Sequence, residues 1–189
     1  PFTSMKSFQM CPECLREYED PLDRRFHAQP NACPVCGPHV ELWSPSGEIL
    51  ALWHDALKEA ARAILDGHVV AVKGLGGFHL MVRADSDDSV LTLRKRKGRM
   101  AKPFALMFPD LGMVREVCQV SEQEAGSLDS LRAPIVLLRK RGKAHSGIVS
   151  VLVSPSNPEL GVMLPYTPLH MLLMDEVGMP VVATSGNIT

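Results

Sequence analysis

Four cysteines near the N-terminus form two C-P-x-C pairs, Cys11/Cys14 and Cys33/Cys36, separated by 18 residues. This spacing is typical of a four-thiolate zinc site, which is structural because all four coordination positions are filled. Two disulfides would need an oxidising compartment, for which the sequence carries no signal, and a redox motif is not expected in two matched copies. His27 lies between the pairs and is an alternative ligand or a neighbour of one. The charged segment around it has few apolar residues, so we expect it to need the metal in order to fold.

A second group of chemically capable residues follows a β-branched run at 69–72, where Lys73 leads into Gly74, Gly76 and Gly77 and then His79. Glycines let the backbone turn sharply and approach a ligand, because no Cβ atom stands in the way. Lys73 supplies a compact positive charge, and His79 can titrate near neutral pH. The pattern predicts a ligand loop at the end of a strand. A plain strand–turn–strand connection with a surface lysine is the alternative, and this stretch alone does not decide.

Six cations lie between Arg94 and Lys102, directly before an apolar segment at 104–108 that we predict to be a buried strand. Cations on a loop that leads into a core strand are expected to lie beside the opening of a pocket. We therefore favour the interpretation that they bind a polyphosphate ligand. A solvated helix C-terminus and a nucleic-acid patch are the alternatives. A polar turn at 184–187 follows the last predicted strand, and its Ser185 and Asn187 could donate to phosphate or hold a metal-bound water. An ordinary turn would have the same composition.

The elements that must position these groups alternate between strands and helices. Apolar residues at helical spacing predict a helix at 53–65 that ends at Asp66-Gly67, and capping residues predict helix starts at Ser86, Ser121 and Thr167. We predict strands at 69–72, 80–84, 104–108, 134–138 and 181–183, and a connector at 40–51. This pattern indicates an α/β domain from about residue 52 onward. In such sheets ligands bind where the strand ends open into loops, so the three polar loops could lie together at the opening of one binding site.

Composition narrows the functional classes. The 189 residues are 46% hydrophobic with a net charge of −1, which predicts a packed core and no general attraction to nucleic acid or anionic membranes. No apolar run approaches the roughly 20 residues of a membrane span. The chain begins with Pro1 and has no signal-peptide pattern, so we expect a cytoplasmic protein. Both ends look like cuts through a longer chain.

Several motifs are similar to those of one family. The stretch from Cys11 to Pro38 resembles the second zinc finger of the HypF hydrogenase-maturation carbamoyltransferases. The segments 73–80, 97–103, 161–170 and 184–187 resemble, in the same order, the YrdC-like domain of that family. The resemblance implies a small four-cysteine zinc finger in 1–42 and a YrdC-like α/β domain with a twisted mixed sheet in 43–189, truncated at its C-terminus.

The resemblance also implies a reaction. Full-length relatives release carbamate from carbamoyl phosphate in a separate domain, and the YrdC-like domain joins it to ATP, with Mg²⁺, to give carbamoyl-adenylate and pyrophosphate. The carbamoyl group then passes to the C-terminal cysteine of HypE, on the way to the cyanide ligands of the nickel–iron centre. The acylphosphatase-like region, the first zinc finger and the large downstream domain of those relatives are not in this sequence. We therefore expect nucleotide binding, but not the complete reaction from carbamoyl phosphate.

Site residues follow from the matched motifs. Lys73 and His79 are the candidate catalytic residues, and the carbamoyl group would be held by Lys73, Gly74, Gly76, Gly77 and Phe78. The residues expected to bind the nucleotide and its phosphates are Lys97, Arg99, Lys102, Thr184, Ser185 and Asn187. The candidate zinc ligands are Cys11, Cys14, Cys33 and Cys36.

Two other functions remain as alternatives. A threonylcarbamoyl-adenylate synthase would carry Thr- and Tyr-type residues in the turn that here holds glycines and His79. A zinc-ribbon RNA-binding module would use the basic run at 94–102, although the near-neutral charge disfavours it; double-stranded RNA stays an alternative ligand.

Overall fold

The computed structural model describes residues 9–28, 32–142 and 147–187, which form a cysteine-rich segment, a two-stranded hairpin and a six-stranded sheet covered by helices. The cysteine-rich segment contains α1 (Pro12–Glu19), and the hairpin pairs β1 (Glu41–Trp43) with β2 (Ile49–Leu52). The remaining elements are α2 (Trp53–Leu65), β3 (Val70–Lys73), β4 (Phe78–Arg83), α3 (Asp87–Lys97), β5 (Ala105–Met107), α4 (Leu111–Val117), α5 (Glu122–Leu128), β6 (Val136–Arg139), β7 (Glu159–Met163), α6 (Pro168–Val177) and β8 (Val181–Ser185). Within these ranges no helix has the length and apolar character to cross a bilayer.

The large sheet has the strand order β3-β4-β8-β5-β7-β6. Strands β5 and β7 run parallel, whereas the other described neighbours are antiparallel. The predicted α/β fold with a mixed sheet is therefore confirmed. The division into domains at 1–42 and 43–189 stays a prediction, and residues 1–8 and 188–189 lie outside the described part.

Strand alternation builds a hydrophobic core on each face of this sheet. Neighbouring residues such as Val182 and Val181 point to opposite clusters, as the two-residue period of a strand requires. One cluster packs under α3, α4 and α5, and the other packs under α2 and α6. Because both faces are covered, the strands read in sequence as apolar runs rather than as alternating patterns.

Local capping signals that the sequence carries are confirmed. The side chain of Ser86 accepts from the backbone N–H of Ser89, and Ser121 and Glu124 form a capping box at the start of α5. Thr167 caps α6 by accepting from the backbone N–H of His170 at 3.1 Å. This last contact fixes the first turn of α6 and so sets the direction of the His170 side chain.

The structure differs from the sequence analysis in one predicted connector and in three elements that were not predicted. Residues 40–51 are not a plain connector, because β1 and β2 form a hairpin whose turn is closed by the Ser44 N–H donating to the Glu48 carbonyl. Helices α1 and α4 and strand β7 were not predicted from periodicity, because each is too short to display it. The buried face of α6 contains His170, Leu173, Met174 and Val177, whereas Leu172 is exposed.

Arg94 is a buried cation at the centre of this fold, with 1% of its surface exposed. Its guanidinium donates to the carbonyl oxygens of Leu152, Val153, Arg99 and Lys102 at 2.7–3.2 Å. The ring of Phe104 lies 4.7 Å from the guanidinium carbon. Among the described residues no carboxylate forms a salt bridge with it. Arg94 therefore ties the loop at 99–102 to the segment at 152–153.

We expect Arg94→Met to lower the free energy of unfolding by about 2–4 kcal/mol, because the methionine fills the stem volume but leaves the carbonyl groups without a donor. Urea unfolding followed by circular dichroism would measure the change. Arg96→Met is the matched control, since Arg96 is on the same helix and exposed. Equal stability of the two variants would contradict this role for Arg94.

Candidate functional site

Three of the loops singled out from sequence meet at one edge of the sheet. His79 at the start of β4 pairs with Ser185 at the end of β8. The backbone N–H of Gly186 donates to the Phe78 carbonyl at 2.7 Å, and a Cβ atom on Gly186 would lie 2.9 Å from that of Phe78. Only glycine permits this close approach. The polar turn at 185–187 is thereby held against the hairpin of β3 and β4.

Lys97 joins the third segment to this turn. It is the last residue of α3 and is buried, with 8% of its surface exposed. Its ammonium group donates to the carbonyl oxygens of Ser185 at 2.7 Å and Asn187 at 2.6 Å. These bonds use two of its three donors, so one remains for a ligand. Burial, with a smaller effect of the Arg99 charge, lowers the pKa of Lys97.

The other predicted phosphate ligands lie around this contact. Arg99 donates to the Pro103 carbonyl at 2.9 Å and lies over the Phe104 ring, 5.3 Å from its centroid. The Lys102 side chain is exposed. The Ser185 hydroxyl donates to the side-chain oxygen of Asn187, whereas Thr184 is buried one position earlier on β8. Arg99 is close enough to lower the pKa of Lys97, and the turn at 185–187 is bonded to Lys97, whereas no described contact joins the Lys102 side chain to these residues.

The glycine-rich segment is the turn of the β3–β4 hairpin, closed by the Gly74 N–H donating to the Gly77 carbonyl at 2.8 Å. None of its three glycines has a positive φ, so left-handed backbone is not the reason for them. Added Cβ atoms at Gly76 and Gly77 would meet nothing within 4 Å, so the turn leaves open space beside it. The ammonium of Lys73 is exposed and lies 5.1 Å from the centroid of the Phe78 ring.

Two residues that we did not assign from sequence complete this region. His170 stacks on His79 with ring centroids 5.5 Å apart, and the Tyr166 ring meets His170 edge-on at 4.6 Å. A Cβ atom on Gly74 would lie 3.6 Å from both the Cε1 atom of His170 and the hydroxyl oxygen of Tyr166. We call His79, Tyr166 and His170 the histidine cluster. The sequence feature that could have identified His170 is its place three residues after the Thr167 cap, within the motif at 161–170.

Both histidines of the cluster favour the neutral state. His170 is fully buried, and desolvation, with a smaller effect of nearby His79, lowers its pKa from 6.5 to about 4. Desolvation also lowers the pKa of His79 and raises that of the Tyr166 hydroxyl. Among the described residues, no protein group bonds to either ring nitrogen of His170 or to Nδ1 of His79.

A cavity of about 600 Å³ also has Tyr166 among its lining residues. Three aspartates, Asp110, Asp129 and Asp175, are among its lining residues. Their negative charge makes this cavity unfavourable for phosphate groups, which are better matched by the cations around Lys97. Charge therefore favours the sheet edge over this cavity as the candidate phosphate site.

The four cysteines predicted as metal ligands also come together. Their sulfur atoms all lie within 4.8 Å of one another, and those of Cys11 and Cys33 are 3.9 Å apart. Tetrahedral coordination by thiolates at about 2.3 Å from zinc requires sulfurs roughly 3.8 Å apart, so the cluster fits the ion. Backbone N–H groups of Cys36 and Val35 lower the pKa of Cys33 to about 6, which favours the thiolate.

His27 is not part of this cluster. Its ring stacks on Phe26 with centroids 4.0 Å apart and lies 5.0 Å from that of Tyr18. In the described ranges, the one group of residues able to hold a metal consists of the four cysteines. The alternative in which His27 is a zinc ligand is therefore not supported.

Two family models match this chain. The model described as HypF finger matches residues 10–43, and the Sua5/YciO/YrdC model, described as Telomere recombination, matches residues 62–189. A carbamoyltransferase HypF from Rhodobacter capsulatus is 49% identical, over 99% of this chain and 24% of the relative. One from Synechocystis is 47% identical, over 94% of this chain and 29% of the relative. This chain thus spans about a quarter of the length of the curated relatives it matches.

Solved structures agree with these matches. A full-length HypF in the phosphate- and nucleotide-bound form is 47% identical with a TM-score of 0.75, covering 99% of this chain and 24% of that one. T. kodakarensis HypF is 42% identical with a TM-score of 0.79, and the match covers 97% of this chain and 24% of that one. P. abyssi Sua5 complexed with L-threonine, at 21% identity and a TM-score of 0.63 over 74% of this chain and 41% of that one, shares the fold. The resemblance to HypF proteins predicted from the motifs is confirmed.

We expect the purified chain to contain one zinc ion, and a strong chelator to unfold residues 11–37, because this segment buries too little apolar surface to fold alone. Metal analysis and hydrogen exchange would measure both. Cys33→Ser should lose the zinc, whereas Cys118→Ala should keep it, since Cys118 is buried in the main core. Less than about half an equivalent of zinc in the wild-type chain would contradict the prediction.

Burial of neutral His170 should make the chain acid-sensitive. In the unfolded chain His170 is protonated as the pH falls below 6.5, whereas in the folded chain it stays neutral down to about pH 4. The free energy of unfolding therefore decreases as the pH decreases through this window. The full loss amounts to about 3 kcal/mol. In His170→Phe this contribution disappears, while the effects of acid on the zinc finger and the other histidines remain in both proteins. Urea unfolding against pH would measure the difference, and parallel curves for the two proteins would contradict it.

Proposed function

Because this chain belongs to the Sua5/YciO/YrdC family and carries the HypF finger ahead of that domain, we propose that it is the carbamoyl-activating part of a HypF-type carbamoyltransferase. The proposed substrates are ATP and carbamate. The observation that carries the proposal is the meeting of Lys97, the turn at 185–187 and the β3–β4 hairpin at one edge of the sheet. A cationic site beside a small open turn suits a nucleotide whose α-phosphate receives a small acyl group.

In the proposed first step, a carbamate oxygen attacks the α-phosphorus of ATP. The bond from that phosphorus to the bridging oxygen breaks, pyrophosphate leaves with the electron pair, and carbamoyl-adenylate remains. In the second step, a thiolate attacks the carbamoyl carbon, its bond to the phosphate oxygen breaks, and AMP leaves. We propose that the thiolate is the C-terminal cysteine of a HypE-like partner, as the resemblance implies.

The phosphate groups are assigned to the cationic side. Negative charge concentrates on the pyrophosphate as it leaves, and preorganised cations stabilise that charge best when little water surrounds them. The third donor of Lys97, the guanidinium of Arg99 and the exposed ammonium of Lys102 are the proposed contacts. Ser185 and Asn187 would bind phosphate oxygens from the facing turn, next to Thr184.

The carbamoyl end is assigned to the hairpin turn. Lys73 would counter the charge of the incoming carbamate. Gly76 and Gly77 leave open space for it beside the turn, and Gly74 and Phe78 are the other proposed contacts. His79 favours the neutral state because burial lowers its pKa, so we propose that it positions the carbamate by hydrogen bonding rather than by charge.

Metal ions have two different roles in this proposal. Zinc would be held by Cys11, Cys14, Cys33 and Cys36 and would stabilise the finger. Mg²⁺ would accompany ATP and neutralise part of the phosphate charge, with the side-chain oxygens of Ser185 and Asn187 as neighbours. Supply of carbamate from carbamoyl phosphate is proposed to belong to other parts of a longer protein, as in the relatives of which this chain spans a quarter.

We expect the chain to bind ATP with Mg²⁺, and Lys97→Ala/Arg99→Ala to weaken binding by about 30-fold or more, because each lost phosphate contact costs about 1–2 kcal/mol. Titration calorimetry would measure the affinity. Lys95→Ala/Arg96→Ala is the matched control, since it removes two exposed cations from the same helix. If both double variants bind equally well, the site is elsewhere; if both lose affinity equally, the attraction is only general electrostatics.

A further inference from the structure

The histidine cluster lies beside the proposed site, but of its three residues only His79 has a role in the proposed function. His79 pairs with Ser185 across β4 and β8, and Ser185 is at the proposed phosphate turn. The His170 ring stacks on the His79 ring, with the two ring centroids 5.5 Å apart. In an acyl-adenylate the acyl carbon is only one oxygen away from the α-phosphorus, so the acyl group must lie within a few ångströms of that turn.

His170 is an unusual residue for a purely structural position. It is fully buried on the inner face of α6, and neither of its ring nitrogens bonds to any described protein group. A buried polar atom without a partner costs about 1–3 kcal/mol, which an apolar side chain of similar size would avoid. A ligand group that completes these bonds would offset that cost only when it binds.

The neutral imidazole has a definite chemical complement. One nitrogen carries an N–H donor and the other is an acceptor. The hydroxyl of Tyr166 and the Cε1 edge of His170 both lie 3.6 Å from the point where a Gly74 Cβ would stand, so they border the same space under the hairpin turn. A carbamoyl group presents an amide N–H₂ and a carbonyl oxygen, which match an acceptor nitrogen and a hydroxyl donor.

We propose that the histidine cluster recognises the carbamoyl amide, with a ring nitrogen of His170 accepting from its N–H₂ group and the Tyr166 hydroxyl donating to its carbonyl oxygen. His170 is then a specificity residue that distinguishes a carbamoyl group from an acyl group with a methyl in place of the amide. This inference rests on the proposed function, because it takes the adenylate to lie along the Ser185–His79 edge.

The test uses the zinc-loaded chain and two stable mimics of the adenylate, the N-carbamoyl and N-acetyl sulfamates of adenosine. They differ only in that the carbamoyl compound has an amide NH₂ group where the acetyl compound has a methyl group. Calorimetry should show the wild type binding the carbamoyl compound about tenfold or more tightly than the acetyl compound. His170→Phe should abolish this preference while leaving the affinity for the acetyl compound unchanged within about twofold.

Two further variants separate recognition from packing. His170→Gln keeps an amide donor and acceptor and should restore part of the preference, and its melting temperature shows whether the core is intact. His54→Phe is the matched control, since His54 is exposed on α2 and its replacement should leave the preference unchanged. A preference that survives in His170→Phe would overturn the inference while the proposed function stands.

A variant of Gly74 tests where the carbamoyl group binds. Gly74→Ala fits the backbone but places a methyl group 3.6 Å from both the Cε1 atom of His170 and the hydroxyl oxygen of Tyr166, where the carbamoyl group is proposed to bind, so it should weaken both mimics by about tenfold. Unchanged binding of both mimics would overturn this placement. If the wild type binds neither mimic nor ATP, the proposed function fails together with the inference.

Discussion

The contact of the Lys97 ammonium with the carbonyl oxygens of Ser185 and Asn187 joins the parts of the candidate site. Residues 88 and 90 positions apart meet there, because α3 ends where β8 opens into its turn. A lysine that is buried among carbonyl groups keeps a fixed position but retains a donor for a ligand. Arg94, one turn earlier on α3, fixes the following loop by the same kind of bonding. The parts of the candidate site are therefore held together by bonds within the protein.

Strand register accounts for the rest of the arrangement. The pairing of His79 with Ser185 brings the start of β4 beside the end of β8, and the close approach of Gly186 to Phe78 fixes the distance between their loops. A shift of one residue in this register would turn His79 to the opposite face of the sheet. The Thr167 cap then directs His170 toward His79 from the helix that covers this face.

Sequence patterns were sufficient for the parts of the molecule that are governed locally. The cysteine pairs, the caps of α3, α5 and α6 and the buried strands follow from spacing and residue type. The motifs also identified the relatives. His79 was predicted as a site residue, but its neighbours Tyr166 and His170 were missed. Their approach to Gly74 depends on how the chain crosses between β7 and α6, and no local period encodes that crossing.

The central claim is that a carbamate oxygen bonds to the α-phosphorus of ATP at this site. The most direct measurement supplies the chain with ATP, Mg²⁺, carbamate labelled with heavy oxygen and a peptide ending in cysteine, and then analyses the nucleotide product by mass spectrometry. The account predicts AMP with one labelled oxygen, unlabelled pyrophosphate and a carbamoylated peptide. Unlabelled AMP, or label in pyrophosphate or inorganic phosphate, would contradict it.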